Sequence, residues 1–307
     1  MINFRYHIVS LMAVFLALSV GIVLGVTLKG PVNQGLTAQA DQDREQVQTL
    51  RTQLDRQNAL NDYREAYAQE VNAELTTGML AGRSVALIVM PDAPGRVVTA
   101  LNRAVIAADG TLTNTARISA DAFDPDQVAA VRKVLEPYRA TLPDADNASD
   151  AGVLGLAVGK GLLAKQTGQR DPEATSINKA LAAARLVTVS GGSPEQAELA
   201  IVVTAEASEP AADAAVLQAH VELEVALKSY AAGVVLAGPN SENLDGTDVL
   251  TARNSLDARR LSTVDVADLS SGVTTTIMAS KEQWLGEQGH YGALARAGAP
   301  LPDLPVR

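Results

Sequence analysis

The chain has no cysteine. That removes disulfides, thiolate metal centres and cysteine nucleophiles. Its three histidines, His7, His220 and His290, are too few for a zinc site of the common His/Cys type without carboxylates. The five methionines, Met1, Met12, Met79, Met90 and Met278, are scattered. With no thiol and no Met or His cluster, the residues themselves offer no site for a soft metal ion. Aromatic residues make up only 3% of a chain that is 47% hydrophobic, so the core must be built from Ala, Val, Leu and Ile. Positive charge is also short: 25 Lys and Arg against 35 Asp and Glu, for a net charge of −10. An acidic surface disfavours nucleic acid, whose phosphates need clustered Lys and Arg.

Catalytic and nucleotide motifs are absent too. There is no G-x-G-x-x-G, G-x-S-x-G or H-E-x-x-H. The stretch from Gly155 to Gly159-Lys160-Gly161 lacks the P-loop spacing and the Ser or Thr after Lys, and it lies in a helical pattern. His220 sits in an amphipathic helical pattern beside Glu222 and Glu224 with no nucleophile motif, and reads as a solvated or packed side chain. Trp284 and Tyr291 read as core or interface residues. The chain is not expected to be an enzyme, and no cofactor is evident.

What is present begins with a long apolar run. Residues 8–28 carry no charge, with Arg5 and His7 just before and Lys29 just after. At 1.5 Å per residue this run is about 31 Å long as a helix, close to the hydrocarbon thickness of a bilayer. It is too long and evenly apolar for a cleaved signal, and no A-x-A-like site follows it. An uncleaved single-pass anchor over 8–28 is expected, after a short cytoplasmic N-terminus of residues 1–7. The charge balance across it is nearly even, and the signal-anchor layout favours N-terminus inside and the large domain outside. Ala13, Ala17, Gly21 and Gly25 recur every four residues. This forms a small-residue face on which a second helix can approach closely, although small residues are common in membrane helices generally.

Pro31 and Gly35 are expected to interrupt the chain. Residues 36–80 are then rich in Gln, Asp, Glu, Arg, Ala and Leu, which favour helix. Leu36, Ala40, Val47, Leu50 and Leu54 form one apolar stripe. After a slip near Gln57-Asn58, Leu60, Tyr63, Tyr67, Val71 and Leu75 form a second. This is a coiled-coil signal with a stutter-like break. The seam residues are Val47, Leu50, Leu54, Leu60, Tyr67 and Val71. Two readings remain: a parallel homodimeric stalk, which the adjacent small-residue face favours, or a single amphipathic helix packed on the globular domain.

Residues 83–307 read as an α/β domain. A near-continuous apolar run at 84–90 has the character of a strand buried on both faces, 112–119 is a second strand candidate, and 186–190, 199–204, 233–237 and 261–264 are short apolar strands. Helical patterns alternate with them at 96–108, 124–135, 149–166, 172–184, 211–231 and 247–257. The alternation predicts a mostly parallel, Rossmann-like sheet with helices on both faces, in three layers. Ligands of such sheets sit beyond the C-terminal strand ends. The candidate cleft residues there are Asp92, Ser190, Gly191, Gly192, Asn240 and Asp265, with Glu206 nearby. Pro194-Glu195-Gln196 could open a helical turn, so that Ser190 to Ser193 could hold an anion. A simple turn is the alternative reading.

The string Met1-Ile2-Asn3-Phe4-Arg5-Tyr6-His7-Ile8-Val9-Ser10-Leu11, running into Ala13 to Leu18 and Gly21 to Gly25, resembles the start of the actinobacterial copper transport protein B (MctB) family. Ser262-Thr263-Val264-Asp265 and Gly289-His290-Tyr291-Gly292 resemble its C-terminal half. The resemblance covers essentially the whole chain. It implies an envelope protein tied to copper efflux or homeostasis, with the large domain outside the cytoplasmic membrane. It also brings in relatives that act in cell separation through a membrane-proximal coiled coil and an envelope or division partner. Copper enters only through this resemblance, and no ligand residue is carried over. A single helix encloses no pore, and a transmembrane barrel would need many strands of about 10 residues with alternating polarity. Direct conduction by this chain alone is therefore not expected.

Overall fold

The computed structural model describes residues 4–241, 246–294 and 296–303. Met1 to Asn3 of the expected cytoplasmic segment lie outside the described residues, as do the side chains of Leu36 and Ala40 at the start of the expected stalk stripe. The chain forms two compact units, Met1–Arg64 and Glu65–Arg307.

The elements, in chain order, are α1 (Phe4–Thr76), β1 (Ser84–Val89), α2 (Gly95–Ala107), β2 (Thr111–Ile118), α3 (Val128–Leu135), α4 (Asp150–Leu162), β3 (Gly168–Gln169), α5 (Pro172–Ala183), β4 (Val187–Ser190), β5 (Glu195–Gln196), β6 (Leu199–Val203), α6 (Ala214–Leu227), β7 (Gly233–Ala237), α7 (Asp248–Asn254), β8 (Ser262–Val264), α8 (Ser270–Leu285) and β9 (His290–Tyr291). Short 3-10 turns precede and follow α3.

The expected interruption at Pro31 and Gly35 does not occur, because α1 is helical throughout. A proline removes one i→i−4 hydrogen bond and crowds one carbonyl, and the turns on either side stay helical. Within α1, Tyr6–Thr27 is the one segment among the described residues long and apolar enough to cross a membrane, with a mean hydropathy of 2.6 and none of it buried.

The base of α1 belongs to the second unit. Glu65 accepts hydrogen bonds through Oε1 from the backbone N–H of Ser270, at 2.9 Å, and from the Ser270 hydroxyl. The N-cap position of α8, Leu269, has no capping side chain of its own. Glu65 thus supplies from 205 positions away the acceptor that a Ser or Asp supplies locally in other helices. Asn72, two turns further along α1, donates to the carbonyl of Ser270 at 2.7 Å.

The central sheet has seven strands in the order β4-β2-β1-β6-β7-β8-β9. Every neighbouring pair is parallel except β2–β4. β1 is buried along its whole length, and its alternation feeds two cores. Ala86 and Ile88 join Leu154, Leu156 and Val158 of α4 and Val221, Leu223 and Leu227 of α6. Val85, Leu87 and Val89 join Val97, Leu101 and Val105 of α2 and Ile277 of α8. A strand buried on both faces is what a continuous SVALIV run requires.

The antiparallel β4 is one of the two edge strands. Ser190 pairs with Thr115 and Val187 with Ile118, so β4 runs back toward the N-terminal end of β2. Glu195 and Gln196 form β5, an antiparallel partner of β3, so of the two readings of this stretch the helical turn does not occur. Asn114 fixes this path by donating to the Ser193 carbonyl at 3.3 Å, and the Ser193 hydroxyl accepts from the Glu195 N–H.

Candidate functional site

In this sheet the chain leaves β1 in one direction toward β2 and later returns on the other side of β1 as β6. That reversal is the switch point at which open α/β sheets place ligands. A cavity of about 310 Å³ lies there. Its walls are Pro91 and Asp92 after β1, Ala120, Phe123 and Asp124 after β2, and Ala205 and Glu206 after β6. Its far side is Val216, Leu217 and His220 of α6 with Thr247 and Asp248 of α7.

The polar floor follows from two helix starts. Asp213 caps α6 by accepting from the Ala215 N–H at 2.8 Å. Thr247 caps α7 by accepting from the Leu250 N–H at 3.3 Å. Capping sets the phase of both helices. His220 and Glu224, four residues apart, then share the face of α6 that meets Asp248 in the first turn of α7. His220 Nδ1 lies 2.9 Å from Asp248 Oδ1, with both side chains buried. An ionised carboxylate can only accept, so Nδ1 carries the hydrogen toward Asp248; in the neutral imidazole Nε2 is then the acceptor. Phe123 holds the imidazole edge-on, with ring centroids 4.2 Å apart and planes at 65°.

Glu224 lies deeper and is fully buried, and neither carboxyl oxygen has a hydrogen-bond partner among the described residues. Burial, reinforced by the neighbouring Asp248, pushes this carboxyl well above the usual carboxylate range. The hydroxyl of Thr204, at the end of β6, is also buried without a partner.

The candidate cleft residues divide into three groups. Asp92 is at the cavity rim, exposed, with a left-handed backbone (φ 58°). Glu206 is also at the cavity and pairs with Arg96, which lies 3.9 Å from Asp268. Asn240 follows β7 and is exposed, and its N–H donates to Asp268 at 2.6 Å. Asp265 follows β8 but is a structural tie. It pairs with Arg253 of α7 at 2.7 Å, with both side chains fully buried, and accepts from the Ala293 N–H at 2.9 Å. Arg253 also donates to Thr263 and to the Tyr291 carbonyl. Ser190, Gly191 and Gly192 lie at the opposite end of the sheet, because β4 is antiparallel, and the strand that follows them gives no helix N-terminus for an anion.

The His220–Asp248 contact went unseen in the sequence. Its only trace there is the i, i+4 spacing of His220 and Glu224. Trp284, read as core or interface, is half-buried, with the Arg83 guanidinium 4.0 Å and the Lys281 ammonium 4.6 Å from its ring centroid. Among the described residues no three His, Asp or Glu side chains converge as a metal-holding group. Met12 is on α1, Met278 is on α8, Met79 lies in the turn after α1 and packs against the core under α2, and Met90 follows β1 in the core under α4 and α6. Met79 and Met90 thus face opposite sides of the sheet, which does not suit a shared thioether copper site.

Comparison with known proteins matches residues 1–302 to the family model described as "Copper transport outer membrane protein, MctB". The protein called "Copper transporter MctB" of Mycobacterium tuberculosis is 30% identical over 321 residues, covering 95% of this chain and 96% of that relative. Its namesake in Mycobacterium leprae is 28% identical over 313 residues, with the same coverage. The match runs through the apolar helix and the α/β unit alike, and the chain belongs to the MctB family.

Proposed function

We propose that this chain is a membrane-anchored envelope component of copper homeostasis that acts with partners and does not itself conduct copper. The N-terminus is inside and the α/β domain faces outward. The observation that carries the reading is the family match over residues 1–302, borne on a chain with one helical segment among its described residues long and apolar enough to cross a membrane. The described sheet is also open, with edge strands β4 and β9, and has none of the long alternating strands of a membrane barrel. Two measurements test it. A deletion strain is expected to be copper-sensitive without a general wall defect. Purified protein reconstituted alone in vesicles is expected to give no selective copper flux. Flux from the protein alone, or normal copper tolerance in the deletion strain, overturns the proposal.

A second reading is a non-enzymatic dimeric scaffold whose stalk presents the domain to wall-remodelling or cell-separation partners. It is supported by Val47, Leu50, Leu54 and Leu60, four large apolar side chains exposed along α1. Ala13, Ala17, Gly21 and Gly25 add an exposed small-residue face in the apolar segment. Chaining or elongated cells with normal copper tolerance would favour this reading over the first. Gly21→Leu with Gly25→Leu is expected to weaken cross-linking in membranes; unchanged cross-linking removes the anchor's part in pairing.

A further inference from the structure

We propose that the cavity at the β1/β6 switch point is a binding site for an alkylammonium group, carried by a small primary amine or by a lysine-type side chain. Charge selects the class. Asp92, Asp124, Glu206 and Asp248 line the cavity, and no Lys or Arg does so among the described residues. An anion would face these carboxylates, and at each helix start that opens here, α6 and α7, one N–H is already taken by Asp213 or Thr247. A wholly apolar ligand would leave the rim carboxylates desolvated without a partner.

The acceptors are placed for N–H donors. His220 lines the cavity with Nδ1 committed to Asp248, which leaves Nε2, an acceptor in the neutral imidazole, without a protein partner among the described residues. Asp92 at the rim has no hydrogen-bond or ion-pair partner among the described residues, whereas Glu206 is shared with Arg96. An ammonium group carries three donors and no acceptor, which matches one carboxylate, one imidazole nitrogen and water. Phe123, Val216, Leu217 and Pro91 supply apolar wall for a short alkyl stem. The half-buried Phe123 ring adds a face for the cation. The volume of about 310 Å³ is at the small end for ligand sites. A metal ion is disfavoured, since no three ligating side chains converge among the described residues.

The test uses the full chain in detergent micelles. Binding of n-pentylamine, its neutral isostere n-hexane and the anion hexanoate is followed by calorimetry and by the imidazole NMR signals. N-acetyl-lysine methylamide is a second ammonium arm, and copper(II) is a separate one. Saturable binding of either ammonium that shifts the His220 signal, with hexane and hexanoate at least about tenfold weaker, supports the proposal. The tighter of the two ammonium probes identifies the source of the group. Asp92→Asn keeps the left-handed backbone, which Asn tolerates, and is expected to weaken ammonium binding by about tenfold or more. Glu222→Gln, outside the cavity, is expected to leave it unchanged. Equal binding of hexane, tighter binding of hexanoate, no effect of Asp92→Asn, or displacement of the amine by stoichiometric copper overturns the proposal, as does no ammonium binding at millimolar concentration.

Discussion

Single side chains explain why a residue at a strand end can be either a ligand or a tie. Asp92 and Asp265 both follow parallel strands, and in the sequence they look alike. Asp265 is fully buried against Arg253, and Gly292, with φ +136°, passes so close that a Cβ there would sit 2.7 Å from Asp265 Oδ2. No local pattern distinguishes the two, because the partners of Asp265 come from α7 and from the loop after β9. Asp265→Asn would remove the buried carboxylate that pairs with the Arg253 guanidinium at 2.7 Å. The expected loss is about 3–5 kcal/mol of stability, read as a lowered midpoint in urea unfolding of the full chain.

Glu224 predicts the opposite sign with pH. Its folded-state pKa is raised by burial and by Asp248, and His220 faces the same Asp248. Above the ordinary glutamate value the unfolded chain releases this proton while the folded chain keeps it, so the residue makes stability fall as pH rises. Glu224→Gln removes that term. Its melting temperature is expected to match the parent near pH 4 and to exceed it progressively toward pH 7.

At the level of elements, the strands were readable because burial on both faces leaves an unbroken apolar run. The β1, β6 and β7 segments fall at the expected places to within a residue. α8 was not readable. It contains Thr274-Thr275-Thr276, poor helix formers, and its N-terminal acceptor comes from Glu65. It is stabilised by packing on the sheet rather than by propensity. β9 has two residues, too few to show alternation. The glycines of α4, which faintly suggested a phosphate loop, mark helix packing instead. A Cβ on Gly155 would meet Ala226 of α6 at 2.8 Å and the Leu223 backbone more closely still. Gly155→Val therefore cannot be absorbed by a side-chain shift alone. The expected cost is about 1–3 kcal/mol or more, with a matching fall in thermal midpoint, whereas Gly192→Ala, with nothing near its Cβ but φ +70°, costs about 1–2 kcal/mol through backbone strain alone.

Across the whole molecule, hydrophobic patterning conveyed the order of apolar helical segment, polar helical stretch and α/β fold but not the path of the chain. The reversal at β4 depends on Asn114 tying the loop at Ser193 and Glu195, a contact 79 residues long in sequence. It splits the predicted cleft, leaving Asp92 at one end of the sheet and Ser190 to Gly192 at the other. For the proposed dimer, Leu50→Lys with Leu54→Lys places like charges at two exposed seam positions. Loss of inter-chain cross-links along residues 45–60, with an unchanged melting temperature of the α/β unit, is the expected outcome. Persistent cross-links would remove these residues from any seam.

The bond from Glu65 to the start of α8 makes the α/β domain detachable at a defined place. A protease cutting α1 at Arg51 would release a fragment that keeps its own helix cap, and that fragment is expected to melt at the temperature of the parent unit. A cut after Thr76 would remove the cap and the Asn72 contact with it, and the released fragment is expected to melt lower. For the proposed membrane anchor, shedding is thus compatible with an intact domain only when the cut falls on the N-terminal side of Glu65.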